Sequence, residues 1–245
     1  MSGPSWVSAA GEEPPEVLWA DGERRLCRIR RRGAASQTCI VVMSERDRPS
    51  PAFVRSLSHE FGLRSHLEAG WALQPIELVP EGGSPVLLLE DPGGGPLERL
   101  LGEPMPVGGF LRLSISVGGA LGRLHGCGLV HKDFKPANLF VQSDAQVRLT
   151  GFGIASRLPR HRQEPDAPEI IAGTLAYMAP EQTGRMNRSI DSRSDLYALG
   201  VTLYRMLTGV LPFTASDPMG WVHAHIAKRP VDPGERVDAP AALAA

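Results

Sequence analysis

The sequence predicts an α+β fold in two lobes, a small β-rich first lobe carrying one helix and a mostly helical second lobe. Three observations carry this. A continuous apolar run rich in β-branched residues, Thr38-Cys39-Ile40-Val41-Val42-Met43, stands among other short strand-like runs before residue 90. The segment Asp91-Pro92-Gly93-Gly94-Gly95-Pro96 is the clearest breaker in the chain. Beyond it, apolar residues recur at three and four, the period of a helix face.

Residues 1–16 are rich in Ser, Gly, Pro and Glu, lack periodicity and read as a disordered tail. The first lobe spans 17–90. Leu26–Arg30 reads as a strand, Gly33 as a turn and the 38–43 run as a buried strand. Residues 51–69 read as a helix, with Pro51 in its first turn and Phe53, Leu57, Phe61 and Leu63 near helical spacing. Leu73–Leu78 and Pro85–Leu89 are strand-like about the turn Glu81-Gly82-Gly83-Ser84. The second lobe, 91–235, opens with a helix whose apolar face is Phe110, Leu113, Val117, Leu121 and Leu124. Leu139–Val141 and Val147–Leu149 flank Ser143-Asp144 as a hairpin, and 157–173 is a polar, Pro-rich loop. A helix over Ser194–Thr208 carries Leu196, Leu199, Leu203, Met206 and Leu207 on one face and stops at Gly209. Another covers Pro218–Lys228, and 236–245 is a tail without folding signal.

Composition narrows the function. The chain has 245 residues and a formal net charge of −1, which argues against a generic electrostatic grip on nucleic acid or on an anionic membrane. Cys27, Cys39 and Cys127 show no CxxC spacing, against a disulfide framework or a zinc ribbon. No apolar stretch reaches the roughly 18 residues of a membrane helix, and no signal-peptide pattern opens the chain, so a cytoplasmic protein is expected. Of 26 basic residues only three are lysines, Lys132, Lys135 and Lys228. The first 131 residues therefore hold none.

The segment His131-Lys132-Asp133-Phe134-Lys135-Pro136-Ala137-Asn138 resembles the catalytic loop of protein kinases, H-R-D-L-K-P-x-N, with His, Asp, Lys, Pro and Asn all at their spacing. The resemblance implies the two-lobed kinase fold, short of the last helices of its second lobe. Lys135, two residues after Asp133, points to the Ser/Thr type. By resemblance, Asp133 orients and deprotonates a substrate hydroxyl, Lys135 stabilises the transferring phosphoryl group and Asn138 holds Mg²⁺. ATP and Mg²⁺ are the implied cofactors, and a protein substrate or signalling partner the implied partner. Thr150-Gly151-Phe152-Gly153 falls where the family has D-F-G, and Ala179-Pro180-Glu181 matches A-P-E. Thr174 sits where the family helps to fix the catalytic Asp. Asp195, in a helix resembling the one that anchors the second lobe, would bond the catalytic-loop backbone. Glu60 stands for the ion-pairing glutamate of the first lobe, Leu89 and Glu90 for the hinge, and Gly22 for the one retained glycine of the phosphate roof. Glu181–Asp191 and Val222–Lys228 also resemble the kinase domains that open very large bacterial signalling proteins, ahead of an ATPase module and a sensor histidine kinase.

The departures cluster on the nucleotide side. The strand lysine that grips the phosphates is expected in the run ending at Met43, with Arg28, Arg30, Arg31 or Arg32 as candidate substitutes. Gly151 replaces the metal-binding aspartate of D-F-G and offers no side-chain ligand. Glu181 lacks the usual arginine from a later helix. Losing a metal ligand and the lysine together costs on the order of 10³-fold in rate. The expected function is thus a kinase-like regulatory or binding module, impaired in phosphoryl transfer. The alternatives are an active Ser/Thr kinase with Asp133 as base and Asn138 on Mg²⁺, and a non-functional truncated copy. His125 reads as a packed core residue, and Cys127, with no sequence-adjacent activator, as structural. His223 and His225, two apart on a helix, face different ways and argue against a metal pair.

Overall fold

The computed structural model describes residues 14–30, 38–80, 84–157, 174–184, 188–238 and 240. The β-branched run forms the centre of a five-stranded antiparallel sheet: β1 (Glu16–Ala20), β2 (Arg24–Arg30), β3 (Thr38–Ser44), β4 (Pro75–Val79) and β5 (Val86–Glu90), in the order β1-β2-β3-β5-β4. Side chains alternate across it. Ile40 and Val42 pack on one face with Leu26, Leu87 and Leu89, whereas Cys39 and Val41 pack on the other with Ile29, Val86 and Leu88.

Helix α1 (Pro51–Gly62) covers the first of these faces with Phe53 and Leu57. The Ser50 side chain caps it by accepting from the Phe53 N–H at 3.1 Å. The helix ends at Gly62 rather than at residue 69. The Leu63 N–H closes on the His59 and Glu60 carbonyls, and Arg64–His66 tighten into a 3₁₀ turn. The following strand starts at Pro75 rather than Leu73, because residues 71–73 pair with the second lobe. Leu149 N–H donates to the Trp71 carbonyl at 2.7 Å and Leu73 N–H to the Leu149 carbonyl at 2.9 Å.

The second lobe is built on α2 (Val107–Gly126), α3 (Ser192–Thr208) and α4 (Pro218–Ala227). Short strands β6 (Gly95–Pro96), β8 (Leu139–Val141) and β9 (Val147–Leu149) form one small sheet, and β7 (Leu129–Val130) pairs with β10 (Ser156–Arg157). Phe110, Leu113, Val117, Leu121 and Leu124 of α2 form the main core with Trp71, Phe134, Leu139, Leu149 and Phe152. The buried face of α3 is Ala198, Val201, Met206 and Leu207, and Leu196, placed on that face from sequence, is exposed. The predicted loop over 157–173 lies outside the described residues except for Arg157, which is in β10. The described tail residues of 1–16 are 14–16, and those of 236–245 are 236–238 and 240. Among the described residues no helix is long and apolar enough to cross a membrane.

His225 on α4 ties the substrate-facing segment to α3. Its Nδ1 faces the Tyr197 hydroxyl at 2.7 Å, its Nε2 faces the Leu175 carbonyl at 2.7 Å, and Trp221 stacks on its ring. A donating Tyr197 and an accepting carbonyl suit a neutral imidazole. Burial pushes its pKa below the ordinary 6.5, against the opposing pull of the Leu175 carbonyl. The unfolded chain then binds the proton first, so the His225 contribution is whole above pH 6.5 and shrinks as pH falls below it. We expect stability to fall between pH 6.5 and 5.5 less steeply in His225→Gln than in the wild type, by at most about 1.4 kcal/mol per pH unit. Denaturant unfolding across that range measures it.

Candidate functional site

The catalytic-like loop is held from below by one carboxylate. Asp195, buried at the start of α3, accepts from the N–H groups of His131 at 2.8 Å and Lys132 at 2.9 Å, and its Oδ2 lies 2.9 Å from His125 Nε2. His125 is therefore a partner of Asp195 and not a packed core residue. Cys127 is a free, exposed thiol. The His131 ring bridges the loop, with Nε2 3.0 Å from the Thr150 carbonyl and Nδ1 accepting from the Asp133 N–H at 3.3 Å. Lys132 takes a left-handed backbone at φ 67, and burial lowers its amine pKa against the opposing field of Asp195. Glu181 Oε1 accepts from the Ser194 hydroxyl at 2.5 Å, which ties it to the start of α3 next to Asp195.

Four of the predicted site residues converge. Asp133 Oδ2 accepts from Asn138 Nδ2 at 3.0 Å and pairs with Lys135 Nζ at 3.1 Å, while Oδ1 accepts from the Thr174 N–H at 3.2 Å. Lys135 Nζ also donates to Thr174 Oγ1 at 2.5 Å and lies 5.5 Å from the Trp19 ring centre. An aspartate steadied by an amide, a lysine and a threonine faces the cleft.

The other half of the cleft is arranged differently. Gly151 has φ 80, and a Cβ there would lie 2.6 Å from Asn138 Cγ and 2.8 Å from Nδ2. The Asn138 carboxamide occupies the room a side chain at 151 would need. Its Nδ2 also donates to the Asp133 carbonyl at 2.7 Å, and its Oδ1 accepts from Arg24 Nη1 at 3.3 Å. The same guanidinium places Nη2 4.0 Å from Glu60 Oε2, while Glu60 Oε1 accepts from the Gly151 N–H at 3.0 Å.

Two expectations need correction. Met43 does not face this cleft. It packs with Val41 and Val79 on the outer face of the sheet, and its neighbour Val42 is the β3 side chain that packs with Phe53 and Leu57 of α1. With a period of two, a one-residue offset reverses the face. Nor does Arg28 reach in. Its guanidinium is committed to Asp91 at 2.7 Å, Glu16 at 3.0 Å and the Gly94 carbonyl at 2.6 Å. Burial pushes the Asp91 carboxyl up, but hydrogen bonds from Arg28, Thr38 and the Gly93 N–H, with the Arg28 charge, outweigh it and hold the carboxyl below its usual range. Arg30 is exposed at the end of β2, and Arg31 and Arg32 lie outside the described residues. The residue that enters is Arg24, which shares the inner face of β2 with Leu26. Strand parity alone puts Arg24 and Arg28 on the same face and does not tell them apart.

Gly22 and its neighbours form a bonded turn. The Gly22 N–H donates to Glu45 Oε2 at 2.6 Å, and Ser50 Oγ donates to Glu23 Oε1 at 2.7 Å. At the opposite end, Leu89 belongs to one packed cluster with Leu18, Leu26, Ile40 and Phe140, each at most 3% exposed. Glu90 N–H is used on the Gln74 carbonyl at 2.9 Å, and its carboxylate approaches Arg148 at 3.7 Å. Between these ends lies a cavity of about 270 Å³ lined by Arg24, Glu60, Asp133, Lys135, Gly151 and Thr174.

These residues do not fit a divalent metal. Mg²⁺ requires converging oxygen ligands. Residue 151 supplies none, and the Asn138 oxygen already accepts from Arg24 Nη1. We expect Gly151→Ala to cost at least about 2 kcal/mol, from the left-handed backbone and from displacing Asn138. A lower urea midpoint at unchanged slope is the readout.

Comparison with known proteins identifies the family. A family model described as the protein kinase domain matches residues 43–236. The serine/threonine-protein kinase Pkn1 of Myxococcus xanthus is 39% identical over 153 residues, which cover 61% of this chain and 22% of that protein. The serine/threonine-protein kinase PksC of Streptomyces coelicolor is 35% identical over 156 residues, 61% of this chain and 28% of that protein. The serine/threonine-protein kinase PknB of Mycobacterium tuberculosis is 31% identical over 160 residues, 64% of this chain and 25% of that protein. The matched part of the chain thus spans 22 to 28% of the length of these relatives.

Proposed function

The chain belongs to the protein kinase domain family, and from that premise we propose that it is a kinase-like regulatory or binding module that does not carry out phosphoryl transfer. The observation behind this reading is the Asn138 carboxamide, which fills the side-chain space of residue 151 and accepts from Arg24. In this family the metal and the phosphates lie between that asparagine, the D-F-G aspartate and the strand lysine. Here the first two hold a bonded amide and a glycine, and the inner face of β3 carries the apolar Ile40 and Val42. The packed cluster of Leu18, Leu26, Ile40, Leu89 and Phe140 supports the same reading, because it fills the space between the sheet and the residues next to Asn138.

The partner proposed is a protein, in keeping with a net charge of −1 and with a family that acts on protein substrates. A second reading, an active Ser/Thr kinase with Asp133 as base, draws on the Asp133–Lys135–Thr174 cluster.

Phosphotransfer from Mg·ATP to a generic Ser/Thr acceptor separates the two. We expect the wild type to match Asp133→Ala, and Gly151→Asp to restore nothing because residue 151 has no room for a side chain. Transfer by the wild type clearly above Asp133→Ala overturns the proposal.

A further inference from the structure

Glu60 is 2% exposed, and a carboxylate so deeply buried needs a countercharge. Among the described residues its one cationic partner is Arg24. The Arg24 side chain is itself largely enclosed, and its Nε and Nη2 are buried without a hydrogen-bond acceptor. Shape and hydrogen bonding therefore do not complete its fit. The attraction between a buried cation and a buried anion is stronger than at the surface, and it holds the group in place. Through Glu60 and Asn138, this single guanidinium joins β2, α1, the loop at 133–138 and the backbone at 151. The last of these packs hard on α1 as well: a Cβ on Gly153 would lie 2.7 Å from Ser56 Cβ, and His59 Nε2 lies 2.7 Å from the Ala155 carbonyl.

We propose that Arg24 is a built-in counter-cation that keeps α1 seated against the 151–155 segment without nucleotide or metal. That seating is then a permanent state of this fold and not a response to a ligand. A partner meets α1 and the 151–155 segment in one fixed arrangement. Arg24 acts here as a positioning residue. The inference deepens the reading of the cleft as one without Mg·ATP, and the two fail in different experiments.

The test is amide hydrogen exchange of the whole chain in nucleotide-free, metal-free buffer, comparing wild type with Arg24→Met, Glu60→Gln and the double variant. We expect slow exchange in 53–62 and 151–155 of the wild type. In either single variant exchange there should be at least tenfold faster, with the amides of α2 unchanged. The double variant should be no faster than the faster single, since one interaction is removed in each. Unchanged protection in Arg24→Met overturns the proposal, as does loosening that spreads equally into α2. Should Arg24→Met not fold, Glu60→Gln, which keeps size and the Gly151 hydrogen bond, gives the same decision. Phosphotransfer by the wild type would sink the proposed function without altering these exchange patterns.

Discussion

The Asn138 carboxamide is the interaction on which the cleft depends. Its nitrogen donates to both the carbonyl and the carboxylate of Asp133, and its oxygen accepts from Arg24. Its bulk stands where a side chain at residue 151 would begin. The orientation of Asp133, the need for glycine at 151 and the seat of the Arg24 guanidinium all follow from one amide with every polar atom engaged. Glu60 and α1 follow in turn, because Arg24 is the charge that lets Glu60 stay buried.

The cleft consequently has two unlike halves. On one side Asp133, Lys135 and Thr174 form a compact hydrogen-bonded cluster open to a cavity. On the other, Arg24, Glu60 and Gly151 line the same cavity, and the Asn138 carboxamide takes the side-chain space of residue 151. This cavity of about 270 Å³ lies against Asp133 and Glu60, and a second of about 530 Å³ shares Asp21, Lys135 and Thr174 with it. Arginine at this point is no conservative stand-in for lysine. Its planar fork contacts the Glu60 and Asn138 side chains at once, whereas an ammonium is a single compact charge.

Much of this was legible in the residues. The β-branched run named the central strand, helical spacing named α2, and the spacing of the His131–Asn138 segment singled out Asp133, Lys135 and Asn138. Thr174, quoted from a separate motif, lies against them. The rest depended on relations that local patterns do not carry. Arg24 meets Asn138 across 114 positions, a pairing that only the closed fold creates. Met43 and Val42 are both apolar neighbours in a strand buried on two faces, so hydrophobicity could not say which one looks toward α1. His125 lies on a helix whose apolar face is otherwise continuous, and its bond to Asp195 comes from a helix 70 positions away. Leu196 fits the spacing of its face but sits at the exposed edge of α3.

The most direct measurement is the thermal unfolding of the wild-type chain with excess ATP, with Mg²⁺ and with a chelator in its place. A ligand at 100 times its Kd adds about 2.7 kcal/mol of stability, a shift of several degrees for a domain of this size. A cleft in which Asn138 takes the side-chain space of residue 151 predicts coincident curves under all conditions. A Mg²⁺-dependent rise in the melting temperature would contradict it.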